Sequence, residues 1–390
     1  MSQKEPPPGP PGLPTQPTAS GAGLALRMLA VGIALYAFLV GIGAMGTGFK
    51  WMGKEFTTEL LGGQHGPLVS LFIGILATTL VQSSSTTTSL VVGMVAAGAI
   101  ELHSAIYMVM GANLGTTVTN TIVSLGHIAQ SSEYRRAFAA ATVHDFFNLI
   151  VLAVLFPLEV YTGFLDKIAG VMTRSFSDMG GMVLANPVKA ATKPAINLLK
   201  SGVEAIGQEG PVLVVLAILI TFGGLIVLVK LLKSIMVSKL ENLFDRVIFK
   251  SPYRGLVFGL FLTILVQSSS ITTSVAVPLV GAGVLTIQQV FPYTMGANIG
   301  TTVTALMAAL AAYAGAAQGD QATAILGLSL AFHHVMFNVI GVALVWPFRR
   351  IPIAIAENFA RLAQWNKAVP LVYIVLTFYL LPAAVVWLGD

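Results

Sequence analysis

Two nearly identical polar phrases lie inside apolar stretches of this chain, VQSSSTTTS at 81–89 and VQSSSITTS at 266–274. No ordinary hydrophobic core has use for such an insertion, and it occurs twice. Its surroundings fix the solvent. Of 390 residues, 55% are hydrophobic and only 9% charged, and several uninterrupted apolar runs reach about 20 residues, enough to cross a bilayer as a helix. The short alternating strands and polar lumen face of a β-barrel have no counterpart here. The composition therefore reads as an all-α polytopic membrane protein.

The absence of cysteine removes disulfides, thiol chemistry and Cys-ligated metals from consideration. The net charge of +5 needs no nucleic-acid partner, because basic residues gather in the cytoplasmic loops of membrane proteins. Residues 1–22 are proline-rich and read as a disordered tail. The first apolar run, 28–49, is longer than a secretory signal core and has no small-x-small cleavage site, so it reads as a retained helix.

The duplication extends beyond the two phrases. GANLGTTVT at 111–119 matches GANIGTTVT at 296–304 with the same offset of 185 residues. VHDFFN at 143–148 resembles HHVMFN at 333–338, now offset by 190, as are Pro157 and Pro347. Ordered matches of this kind mark an internal repeat. The expected organisation is a first helix with its connection (23–63), repeat 1 (64–157), an extracytoplasmic or interfacial connection (158–210), a helix and basic amphipathic segment (211–250), repeat 2 (251–347), and an interfacial segment with a last helix (348–390).

Each repeat opens on an interrupted apolar stretch. Residues 67–81 and 86–99, and likewise 255–266 and 271–283, are each too short to span about 30 Å of hydrocarbon. They read as the arms of re-entrant helical hairpins with QSSS at the tip. The next segment carries GANxGTT, whose glycines, asparagine and threonines are poor helix-interior residues, so an unwound transmembrane helix is expected there. Exposed backbone at that depth is tolerated only where it lines an enclosed cavity. The same glycines also suit a close helix–helix contact.

Complete crossings are expected at 28–49, 105–125, 138–156, 212–232, 289–309, 323–346 and 369–388. Three of them separate the two QSSS tips, and an odd number inverts the second repeat relative to the first. Lysine and arginine divide 14 against 7 between the two sides. The positive-inside rule then places the N-terminus in the cytoplasm and 158–210 outside, with LDKIAGVMTRSF lying on the membrane surface. The expected location is the plasma membrane, the inner one in a bacterial cell.

Helices that start at QSSS would bring free N–H groups, positive dipole ends and capping hydroxyls into the membrane, and inversion would make the two ends converge. Such a site suits a compact anion with many oxygens. No lysine or arginine occurs from 56 to 134 or from 255 to 348. Burying an unpaired dianion would cost many kcal/mol, beyond the roughly 0.3–2 kcal/mol that each dipole offsets. Cations must therefore accompany it, and the oxygens of Gln82, Gln267, Asn113, Asn298 and the threonines are hard ligands for hard cations such as sodium. The residue inventory thus points to a secondary symporter. Asp145 is the one acidic residue well inside a crossing. Its partner position holds Val335, so it is a natural place for an additional cation.

The paired QSSS motifs, GANLGTTVTNTIVSL and RRAFAAATVHDFFN resemble the signatures of the type II sodium-phosphate cotransporter family over about residues 64–350. The resemblance implies divalent inorganic phosphate carried inward with excess sodium by an elevator-like alternating-access movement. It implies a phosphate site at Ser83, Ser84, Ser85, Ser268, Ser269, Ser270, Asn113 and Asn298. Sodium would be held by Gln82, Gln267, Thr86, Thr116, Thr117, Thr272, Thr301, Thr302 and Asp145. The aspartate matching Asp145 goes with electrogenic members, and the external-loop cysteines of animal relatives are missing here. No cofactor is implied besides sodium as co-substrate, and the partners are phosphate, sodium and the lipid bilayer. A homodimer is compatible with the sequence.

Other readings remain open. Single threonines such as Thr88 and Thr273 suit bonding to the preceding turn. His144 and His334 suit bonding within the bundle better than metal binding, and Asp145 can also be read as a structural partner of His144. Arg135 and Arg136 read as topology anchors. A passive anion channel would use the same helix ends, and a sodium-coupled carrier of arsenate the same site. An intramembrane hydrolase built from Ser83 or Ser84 with His144 and Asp145 lacks a nucleophile elbow.

Overall fold

The computed structural model describes residues 65–81, 83–129, 131–178, 185–205, 210–220, 251–281, 283, 285–316 and 320–389, with scattered helical positions in 26–47 and 223–227. The proline-rich terminus, parts of the expected crossings at 28–49 and 212–232, the basic segment up to 250, and Gln82 lie outside the described residues. Among the described residues every regular element is helical and no strand occurs.

We number the helices α1 (Pro67–Val81), α2 (Ser84–Ala96), α3 (Leu102–Gly115), α4 (Val118–Ser124), α5 (Ser131–Thr162), α6 (Phe164–Asp178), α7 (Ala185–Glu204), α8 (Gly210–Ile220), α9 (Pro252–Val266), α10 (Ser269–Gly281), α11 (Ile287–Gly315), α12 (Gln321–Val345), α13 (Arg350–Trp365) and α14 (Ala368–Gly389). Four of them, α5, α11, α12 and α14, are long and apolar enough to cross a membrane.

The short helices fall where the interruptions place them. Pro67 and Pro252 open α1 and α9 at equivalent positions, where a missing N–H removes no hydrogen bond. Both helices have 15 residues, and α2 and α10 have 13 each. At about 1.5 Å per residue all four stop short of a bilayer's hydrocarbon width. Gln267 ends α9 in the left-handed region, φ 53° and ψ 29°, the only described non-glycine residue with positive φ. α2 and α10 end ahead of Gly98 and Gly283, both at positive φ, so they stop short of the expected 99 and 283.

The GANxGTT segments depart from expectation. In the first repeat the helix breaks for two residues, Thr116 and Thr117, between α3 and α4. In the second, α11 runs unbroken through 296–302. The glycines serve close packing instead. A Cβ on Gly111 would meet the carbonyl oxygen of Leu71, and one on Gly296 that of Leu256. Gly74 abuts Met108, and Gly259 abuts Tyr293 in the same way. Gly115 rests on Thr78, and Gly300 on Thr263. Each pair of contacts is the same contact displaced by 185 residues, so α1 packs on α3 as α9 packs on α11. Small residues at these points let the backbones approach, which in lipid supplies the association energy that a hydrophobic effect cannot.

Two amphipathic helices flank the bundle. α6 buries Leu165, Ala169 and Thr173, and its first turn is held by the Glu159 carboxylate, which accepts from Leu165 N at 2.6 Å and Asp166 N at 3.3 Å. A negative cap on a helix start satisfies free N–H groups and opposes the dipole. α13 buries Pro352, Ile353, Ala356, Ala360 and Ala363, a single stripe.

Candidate functional site

The tips are built by serine capping. Ser83, in extended backbone, accepts from Thr86 N at 3.3 Å, and Ser268 accepts from Ile271 N at 3.3 Å. The first serine of each QSSS is therefore the cap, and the next two form the first turn, almost wholly buried. Thr87 and Thr272 donate to the carbonyls of Ser83 and Ser268 at 3.1 and 2.9 Å. Thr88 and Thr273 do the same toward Ser84 and Ser269 at 2.8 Å. These hydroxyls bond back along their own helices, as expected of single threonines in apolar surroundings.

Two of the remaining tip hydroxyls join the two repeats. Ser85 Oγ shares a 2.8 Å hydrogen bond with Thr301 Oγ1, and Ser270 Oγ shares one of 2.8 Å with Thr116 Oγ1. Adding 185 to Ser85 gives Ser270, and adding it to Thr116 gives Thr301. The two bonds are thus one contact with the partners exchanged, the relation of a self-complementary interface. Ser84 Oγ also donates to Thr116 Oγ1 at 3.2 Å.

A second exchanged set lies in the same core. His144 Nε2 meets Asn298 Oδ1 at 2.6 Å, and His334 Nε2 meets Asn113 Oδ1 at 3.3 Å. Asn298 Nδ2 donates to Asn148 Oδ1 at 2.7 Å, and Asn338 Nδ2 donates to Asn113 Oδ1 at 3.1 Å. All six side chains are at most 2% exposed. Asn120 Nδ2 approaches His144 Nδ1 at 3.3 Å and Thr273 Oγ1 at 2.8 Å. An amide donor at Nδ1 leaves the proton on Nε2, facing the Asn298 oxygen.

Asn113 and Asn298, expected to bind phosphate, instead use their side-chain oxygens in this network, and Asn113 Nδ2 donates to the Val109 carbonyl of its own helix. No described hydrogen bond ties either side chain to a tip serine. The expected sodium oxygens divide. Thr116 and Thr301 face the opposite tips. Thr86 donates to Ser83 Oγ at 2.9 Å, while Thr117, Thr272 and Thr302 donate to their own helices. Gln267 sends Nε2 toward Met307 Sδ at 3.7 Å and leaves Oε1 without a partner, as Ser269 Oγ also is.

Asp145 is fully buried and breaks the symmetry. Its Oδ2 accepts from Thr121 Oγ1 at 3.3 Å and from Tyr373 OH at 3.0 Å, while Oδ1 has no partner. No ion pair among the described residues involves it. Its neighbour His144 bonds elsewhere, so the reading of Asp145 as a structural partner of His144 finds no hydrogen bond. Sequence reasoning does not single out Asn148, Asn338 or Asn120 as site residues. The closing asparagine shared by VHDFFN and HHVMFN was the available signal for the first two. Tyr373 lies 228 residues from Asp145 and carries no such signal.

Fold and site together define a multi-pass helical membrane protein with a duplicated polar centre. The sequence profile of the Na+/Pi-cotransporter family matches residues 37–185 and 219–363, more than half of the chain, and the protein belongs to that family. It is 32% identical over 425 residues to sodium-dependent phosphate transport protein 2A of Rattus norvegicus, covering 90% of this chain and 66% of the relative. Protein 2B of Pongo abelii and of Homo sapiens are each 31% identical over 445 residues, covering 90% of this chain and 63% of theirs. The chain therefore spans just under two thirds of the length of these relatives, which are transport proteins by name and not enzymes. No solved structure matches it.

Proposed function

We propose that the protein is a sodium-coupled inorganic phosphate symporter, secondary active and electrogenic, built on inverted repeats with re-entrant hairpins and moving by an elevator-like mechanism. One observation carries this reading. Each QSSS tip bonds across to the GANxGTT segment of the opposite repeat, Ser85 to Thr301 and Ser270 to Thr116, in segments that contain no lysine or arginine. Contacts exchanged between repeats follow a two-fold relation. Running that axis in the membrane plane turns one repeat upside down and brings both helix starts to mid-depth.

The hydroxyls and first-turn N–H groups of Ser83, Ser84, Ser85, Ser268, Ser269 and Ser270 would surround divalent phosphate as donors. Its charge would be offset by sodium on Gln82, Gln267, Thr86, Thr116, Thr117, Thr272, Thr301 and Thr302, with the unpartnered Oε1 of Gln267 ready to ligate. Asn113 and Asn298 would hold the frame by linking the repeats. Asp145 Oδ1, buried and without a partner, would take one further cation, making the cycle electrogenic. The names of the relatives support phosphate and sodium as the cargo. The distribution of basic residues supports an N-terminus in the cytoplasm and a plasma-membrane location.

The test is uptake of labelled phosphate into proteoliposomes. Accumulation should require an inward sodium gradient, and equal uptake in potassium would end the coupling claim.

A further inference from the structure

Arg135 and Arg136, which begin RRAFAAATVHDFFN, have no part in the site above. They line a cavity of about 480 Å³ between the start of α5, the end of α10, the start of α11 and α13. Arg361 reaches it from α13, so three guanidinium groups face it against one carboxylate, Glu357. That carboxylate already accepts from Gln288 Nε2 at 3.2 Å. Arg136 is fixed in place, donating from Nε and Nη2 to the Gly281 carbonyl at 2.9 and 2.6 Å. This contact also neutralises the negative end of α10. Arg135 is exposed and forms no ion pair among the described residues.

The cavity adds two features to its charge. Ile287 and Gln288 of the first turn of the 29-residue α11 line it, and N–H groups at that position have no partner within their own helix. Val280, Leu285 and Ala139 supply an apolar wall. The guanidinium fork matches phosphate oxygens two at a time. An amphipathic helix such as α13, with its apolar stripe turned to the bundle, suits the height of lipid headgroups.

We propose that this cavity binds a phosphate group, presented by an acidic phospholipid headgroup or by free phosphate, at a site separate from the serine tips. The inference does not depend on the proposed transport activity.

The full chain is purified in a neutral detergent and in potassium buffer without sodium, which leaves the tips without their proposed counter-ions. Thermal unfolding is then followed against dioctanoyl phosphatidylglycerol, dioctanoyl phosphatidylcholine or inorganic phosphate. A saturable rise in the midpoint is expected with phosphatidylglycerol and not with phosphatidylcholine. The concentration for half effect should increase about tenfold in Arg135→Gln and again in Arg361→Gln, as loss of a charged hydrogen bond implies. A rise with inorganic phosphate, weakened by the same variants, assigns the site to free phosphate instead. Both side chains are exposed, so neither variant removes packing. Arg254→Gln, which does not line the cavity, serves as control. If neither ligand gives a rise that these two variants weaken, the proposal is overturned.

Discussion

Gly296→Ala separates the packing described here from general helix energetics by the sign of its effect. In a helix interior, alanine is favoured over glycine by roughly 0.8–1 kcal/mol, so the substitution would stabilise α11 if nothing faced it. The structure puts a backbone there. A Cβ on Gly296 would fall on the Leu256 carbonyl oxygen, 2.7 Å from its carbon and 2.9 Å from Leu260 N. No side chain can swing aside, because the obstacle is the main chain of α9 itself, and relief requires α9 and α11 to separate. Overpacking of this kind costs typically 1–3 kcal/mol, and the propensity gain offsets only part of it. We expect net destabilisation of at least about 1 kcal/mol, measured by denaturant titration in mixed micelles. Gly111→Ala, which faces Leu71 in the same way, should behave alike. Gly202→Ala in α7, where nothing lies within 4 Å of the added methyl, should be neutral or stabilising. If Gly296→Ala proves as stable as Gly202→Ala, the close approach of α9 to α11 is wrong, and with it the account of GANxGTT.

Two further outcomes bear on transport. Asp145→Gly should lower the charge moved per phosphate, read as current against tracer flux in one set of proteoliposomes. An unchanged ratio would remove the proposed cation from Oδ1. Ser85→Ala and Ser270→Ala break the two halves of one exchanged contact, so each should raise the KM for phosphate by a similar factor, about threefold to tenfold. Thr88→Ala, whose hydroxyl bonds only to its own helix, should leave that KM near the original. A large effect at only one of the two serines would contradict the exchanged geometry.

Much of this fold could be read from the chain. The 185-residue offset in the sequence reappears as matched contacts, and Pro67 and the QSSS breaks mark the short helices, although the first arm of the second repeat opens at Pro252, three residues before the expected 255. The second arms start two residues earlier than expected, at Ser84 and Ser269, because only the first serine is the cap. GANxGTT was harder. Glycine between an asparagine and threonines suits a hinge and a close contact equally, and only the position of the facing helix distinguishes them. In the first repeat both occur, with close packing at Gly111 and Gly115 followed by a break at Thr116 and Thr117.

By itself the sequence determined the membrane class, the duplication and the polar tips, because hydropathy, repeat offset and capping residues are local properties of a chain. Which hydroxyl meets which was decided only in three dimensions. Ser85 finds Thr301 across 216 residues, and Asn113 and Asn298 turn to histidines and asparagines of the opposite repeat. Tyr373 reaches Asp145 from the last helix. A buried polar group must find a partner wherever packing brings one, and packing is a property of the assembled bundle, not of any stretch of its sequence.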